Sequence, residues 1–307
     1  MENSWAFALH NRQSIGLRPV HGARVGPLTC LFVLVGALSV ALGAPRVASA
    51  GEAETVRFAA QDDSGATIEA LLYRPATVRP APAIVALHGC GGLRDAAGRL
   101  SAREAAWAER LTAEGFAVLF PDSFGSRGLG SQCRTGNRAA RAWKERVGDV
   151  RAAFDWLAGQ DFVRAEAIGL LGWSNGGSTV LNAVRAGRAP AKGDFRTAVA
   201  FYPGCRPMAQ NPRWRARVET LILIGDADDW TPIEPCRALV AAHPERLSIV
   251  AYPGAWHGFD APSAPVRVRH GLAYTADGSG AAHVGTDPKA RAEVLERVPA
   301  WFSARLK

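Results

Sequence analysis

The stretch Gly172-Trp173-Ser174-Asn175-Gly176-Gly177 limits what this chain can become more than any other. It follows an apolar run, residues 167–171, of the length and composition of a buried parallel strand, and it precedes residues 178–185, which read as a helix. The spacing is G-x-S-x-G. A serine on so tight a strand-to-helix turn leaves no room for side chains at the flanking positions, here Gly172 and Gly176. Five residues alone equally describe a glycine-rich turn with a solvated serine, so reading Ser174 as a nucleophile depends on partners elsewhere.

Around that turn, strands and helices alternate. Residues 55–59 and 67–73 form a hairpin about Asp62-Asp63-Ser64-Gly65, and residues 83–87 form a central strand running into His88-Gly89-Cys90-Gly91-Gly92. A helix over 102–114 is closed by Gly115, a short strand over 116–120 by Pro121, and residues 122–137 form a loop too long for a simple connector. A long helix over 139–158 leads to the elbow. Strands follow over 197–202, 220–224 and 247–252, with helices over 234–242 and 288–304. The last helix carries the stripe Val294, Leu295, Val298, Trp301 and Phe302, which is core packing. Such alternation predicts an α/β fold with a mostly parallel central sheet and helices on both faces, whose chemistry collects at the carboxyl ends of the strands.

Two of those strand ends supply what a serine nucleophile requires. A hydroxyl needs a base, the base needs an orienting carboxylate, and in this architecture the chain order is Ser, then Asp or Glu, then His. After residues 220–224 come Asp226, Asp228 and Asp229; after 247–252 comes His257. His257 is the expected base. Of the three aspartates Asp228 is favoured, the others being expected to cap turns or face solvent.

Residues 1–50 obey a different pattern. Arg12, Arg18 and Arg24 precede the nearly uncharged run 27–44, and Ala48-Ser49-Ala50 supplies a small-residue cleavage site, so the segment reads as a secretory signal peptide rather than a membrane anchor. Residues 51–307 are then a single domain, secreted or periplasmic and free of the membrane after cleavage. The leader's four arginines and one glutamate account for +3 of the chain's net +8; the remaining +5 is scattered, with no basic stripe interleaved with aromatics, which argues against nucleic-acid binding. Four cysteines follow the leader: Cys90, Cys133, Cys205 and Cys236. Export suggests disulfides, with Cys205–Cys236 preferred because each lies a few residues past a predicted strand end; buried free thiols are the alternative. No C-x-x-C spacing indicates zinc.

His88-Gly89-Cys90-Gly91-Gly92, the doubled glycine of the elbow, the G-x-x-D-x-x-x-P stretch from Gly225 to Pro232, and His257-Gly258-Phe259 together resemble the α/β-hydrolase superfamily and, within it, the dienelactone hydrolase family. The resemblance implies that Asp228, fourth in the G-x-x-D pattern, is the acid, and that backbone N–H groups of Cys90 and Asn175 hold the oxyanion. It implies hydrolysis of a small-molecule carboxylic ester or lactone, with no metal or cofactor. Two departures matter. The family's namesake uses cysteine where this chain has Ser174, and its arginine shortly after the histidine is replaced here by Asp260-Ala261-Pro262. Arg127 or Arg206 is the candidate substitute clamp, and Trp230 and Trp256 are candidate walls of an acyl pocket. The G-W-S-x-G-G elbow also resembles that of polyester hydrolases, which makes a cutinase-like activity one alternative. A catalytically weak exported binding protein on the same fold is the other.

Overall fold

The unbroken apolar runs become the middle of an eight-stranded sheet. In the computed structural model, which describes residues 53–76 and 80–307, the strands are β1 (Glu54–Ala59), β2 (Thr67–Tyr73), β3 (Ala81–Leu87), β4 (Ala117–Pro121), β5 (Val163–Trp173), β6 (Thr197–Phe201), β7 (Thr220–Gly225) and β8 (Leu247–Tyr252). The expected leader, 1–50, lies outside the described residues. Sheet order is β1-β2-β4-β3-β5-β6-β7-β8. Every pair from β4 to β8 is parallel, whereas β1 and β2 form an antiparallel hairpin joined to β4. Strands covered on both faces have no polar side to show, and β3, β4, β6 and β7 are buried throughout. Edge strand β1 stays partly exposed along its length.

Helices cover both faces. Gly169 of β5 faces Phe302 of α6 (Pro288–Leu306), while Gly172, an odd number of residues further on, faces the start of α3 (Asn175–Ala183). α1 (Ala102–Ala113) joins α6, Arg110 bonding the carbonyl of Leu295, and α2 (Glu145–Leu157) packs beside α3. Asp287 caps α6 by accepting the Ala290 amide at 2.8 Å, with Pro288 at the first helical position. A short α4 (Arg206–Ala209) and α5 (Glu234–Ala242) complete the main layers.

Two features differ from the sequence reading. The helix expected over 139–158 begins only at Glu145, because the Glu145 carboxylate folds back to accept the Arg141 amide at 2.9 Å and holds the preceding residues in turns. A two-stranded ribbon of β9 (Arg267–Arg269) and β10 (Ala282–Val284), unforeseen, follows His257, and Val284 bridges back to His257 itself.

From β3 the chain moves outward to β4 and then returns across β3 to build β5 and the rest of the sheet. Winding reverses between β3 and β5, and a crevice opens outside their carboxyl ends. His88 follows β3 there, and Ser174 follows β5.

Candidate active site

Ser174 sits between β5 and α3 with φ 54° and ψ −114°, a backbone conformation that non-glycine residues adopt only under constraint. The constraint is local crowding. A Cβ on Gly172 would lie 2.5 Å from the Gly176 carbonyl oxygen, and one on Gly176 would overlap the Leu87 carbonyl at the end of β3. Glycine at both positions therefore lets β3, β5 and α3 converge beneath the serine.

Ser174 Oγ donates to His257 Nε2 at 2.9 Å, and His257 Nδ1 donates to Asp228 Oδ2 at 2.8 Å. Because an ionised carboxylate only accepts, this pairing assigns the proton to Nδ1 and leaves Nε2 free to accept. Asp228 is fixed in turn by the amides of Trp230 (3.0 Å) and Thr231 (2.8 Å) on its other oxygen. Tyr202 and Trp230 both pack against the His257 ring, with ring centroids 4.6 and 4.7 Å away. Its two neighbouring aspartates are otherwise employed: Asp226 accepts the Gly254 amide at 2.7 Å, and Asp229 binds His283 Nδ1 at 2.7 Å.

Cys90 and Asn175 flank this serine, and both line the same cleft. Three contacts hold the backbone around Cys90: His88 Nδ1 donates to the Gly89 carbonyl at 2.8 Å, the Gln132 amide donates to the Cys90 carbonyl at 2.8 Å, and the Cys90 sulfur is bonded to Cys133. A trans peptide points its C=O and N–H in opposite directions, so fixing the Gly89 carbonyl also aims the Cys90 N–H. His88 is fully buried; burial first, and the charge of Arg146 second, hold its pKa well below the usual histidine value and keep the ring neutral.

Asp260, in the stretch that departs from the family pattern, lies behind the serine and histidine. Its buried carboxylate accepts from Trp107 Nε1 and Trp173 Nε1, both at 2.8 Å, and from the Tyr202 hydroxyl at 2.5 Å. Trp173 precedes Ser174 and Tyr202 packs on His257, so one carboxylate anchors the supports of two site residues. Burial raises the Tyr202 pKa well above its usual value, which keeps the phenol a donor.

Two clefts meet at Ser174, Cys90 and Trp230. One, of about 470 Å³, has apolar walls including Trp143, Met208, Pro232 and Tyr274; the other, of about 270 Å³, is lined by Gly91, Gly92, Arg103, Arg267 and Arg269. Trp230 thus stands at the junction. Trp256 does not: it lines neither cleft and stacks on His283, centroids 4.2 Å apart. Arg127 is also displaced from the expected role, because its guanidinium is consumed by Asp149 (2.8 and 2.9 Å) and Asp62 (2.7 Å), tying the post-β4 loop to α2 and the edge hairpin. Arg206 is exposed at the wall of the larger cleft. The preferred disulfide, Cys205–Cys236, is present, and Cys90–Cys133 forms a second. This second bond lies in a small cluster with Trp230, Leu272 and Ala282, separate from the main core. Among the described residues no group of three or more His, Cys, Asp or Glu side chains is placed to hold a metal ion.

The sequence model of the dienelactone hydrolase family matches residues 68–306. The quorum-quenching protein AidA of Acinetobacter baumannii (strain MDR-ZJ06) is 29% identical over 210 residues, which are 64% of this chain; the chain spans only 62% of that relative's length. Among solved structures, a dienelactone hydrolase-like promiscuous phosphotriesterase from metagenomic libraries superposes with a TM-score of 0.59 at 21% identity, covering 84% of this chain and all of that one. Thermogutta terrifontis esterase 2, phosphorylated by paraoxon, gives 0.55 at 19% identity, covering 81% of this chain and 92% of its own.

Proposed function

We propose, from the premise that the chain belongs to the dienelactone hydrolase family, that it is an exported serine hydrolase acting on a small-molecule carboxylic ester or lactone. The observation that carries this reading is the continuous line of hydrogen bonds from Ser174 Oγ through His257 to Asp228. In the proposed cycle Ser174 Oγ attacks the ester carbonyl carbon while its proton passes to His257 Nε2. The carbonyl oxygen becomes an oxyanion received by the N–H groups of Cys90 and Asn175. Collapse breaks the bond to the leaving alkoxide, which takes the proton from Nε2, and leaves an acyl group on Ser174. Water then repeats the sequence, His257 accepting its proton, and the carboxylic acid departs. Asp228 remains ionised throughout, holding the Nδ1–H tautomer and stabilising the imidazolium.

Trp230 is assigned to the wall between the two clefts, and the apolar cleft suits the acyl chain. Residues 1–50 are assigned as the signal peptide and 51–307 as the mature domain, secreted or periplasmic. Two disulfides support export, since such bonds persist in oxidising compartments. One observation favours the second reading, a polyester hydrolase: Trp143 and Tyr274, 55% and 58% exposed, rim the apolar cleft where an aromatic polymer could lie.

Replacing Ser174 by Ala tests the reading. Turnover of short-chain aryl esters and labelling by a fluorophosphonate should both vanish while the circular dichroism spectrum is unchanged; continued turnover would sink the assignment of Ser174, and a parent protein that neither turns over esters nor takes the label would favour a scaffold that only binds.

A further inference from the structure

Arg146, in the first turn of α2, has no solvent exposure. It makes no ion pair among the described residues. Asp149 and Asp122, whose charges it feels, are bonded instead to Arg127 and to the amide of Gly125. Burying a cation without a directly paired anion is among the most unfavourable arrangements a fold can hold, so the compensation has to lie in what the cation bonds. Among the described residues only two acceptors receive its side chain. Nη1 donates to the Asn175 side-chain oxygen at 2.6 Å and Nη2 to the His88 carbonyl at 2.9 Å; the Phe124 ring packs against the guanidinium at 5.1 Å, and Nε has no partner.

Those acceptors are not arbitrary. Asn175 carries one proposed oxyanion donor on its own backbone, and the His88 carbonyl begins the run whose Cys90 N–H is the other. The two segments leave different strands, β5 and β3, and no other side chain among the described hydrogen bonds joins them. A guanidinium is planar, with its N–H groups at fixed spacing, so bonding both segments sets their separation rigidly.

We propose that Arg146 is the positioning residue of the oxyanion hole: it bridges the His88 carbonyl and the Asn175 side chain, fixing the relative placement of the Cys90 and Asn175 amides and leaving a positive charge behind them. The inference rests on the serine-hydrolase reading above. Its effect falls on the charge that develops during reaction, since a neutral ester carbonyl gains little from aligned dipoles compared with an oxyanion.

The test uses the mature protein with active sites counted by fluorophosphonate titration. Arg146→Met should lower kcat per titrated site for a short-chain aryl ester by about 10- to 100-fold, approaching the loss of a whole donor, while KM stays within about three-fold. An alkyl boronic acid, whose serine adduct is tetrahedral, should weaken in proportion to kcat/KM. Arg146→Lys should recover part of the rate. A merely structural arginine would lower the melting temperature and leave kcat per site and boronate affinity at parental values, and that result would overturn the inference. If Arg146→Met does not fold, Asn175→Ala removes the acceptor and keeps the backbone amide; an unchanged kcat there would overturn it equally. Should Ser174→Ala retain turnover, the hydrolase reading itself fails. Should Ser174→Ala be inactive while Arg146→Met turns over normally, only the role of Arg146 fails.

Discussion

Asp260 accepts three hydrogen bonds from aromatic side chains of three separate segments, and no property of the sequence around it announces that. Tyr202→Phe would keep the ring against His257 and remove one donor from a buried carboxylate, so unfolding in urea should show a loss of about 1.5–3 kcal/mol. Asp228→Asn tests a different contact. An amide in place of the carboxylate permits the wrong histidine tautomer, and kcat should fall on the order of 10⁴-fold with the fold intact, as measured by steady-state hydrolysis near neutral pH. The convergence of Ser174, His257 and Asp228 was legible because each stands at a strand end in an order the architecture requires. Arg127 was misread for the opposite reason: a loop arginine at a strand end looks available until Asp149 and Asp62, 22 and 65 residues away, are brought to it by folding. Trp256 was misread likewise, its neighbour His283 arriving on an unforeseen ribbon.

Elements were legible wherever burial imposed a pattern. β3 is an unbroken apolar run, β6 and β7 are apolar after a leading threonine, and the elbow is marked by glycines that no other residue could replace. The β9–β10 ribbon was not, because three-residue strands such as Arg267-Val268-Arg269 carry no hydrophobic period. Nor was the Cys90–Cys133 bond, whose geometry depends on how two irregular loops are routed. Its cluster draws Cys90 from the post-β3 loop, Cys133 from the post-β4 loop, Trp230 from beside Asp228, and Leu272 and Ala282 from the segment after His257. The two disulfides enclose 43 and 31 residues, and loop-closure entropy makes each worth about 4 kcal/mol at most. Cys133→Ser and Cys236→Ser should therefore lower the melting temperature comparably. Only Cys133→Ser should also lower kcat, because its partner carries a proposed oxyanion donor; equal rates in the two variants would dissociate that bond from catalysis.

At the scale of the molecule, stability should depend on pH through His88. Its folded pKa lies well below the ordinary 6.5, from burial and then from Arg146, so in mildly acidic solution the unfolded chain binds a proton that the folded one refuses. His88 thus has no destabilising effect above about pH 6.5, and stability is lost as pH falls below that, by at most about 1.4 kcal/mol per pH unit. Burial raises the Glu104 pKa, and its contribution runs the other way, stability falling as pH rises above the ordinary carboxyl value, so the two must be separated. The unfolding free energy measured from pH 7.5 to 5.5 should fall more steeply for the parent than for His88→Gln; identical slopes would show that His88 does not titrate differently in the two states. A last consequence follows from how His257 is held. Packed against Tyr202 and Trp230 and bonded at both nitrogens, the imidazole is held in one orientation. In the proposed cycle each proton therefore enters and leaves through one nitrogen, a single port, and the leaving alkoxide and the attacking water must use the same doorway in succession.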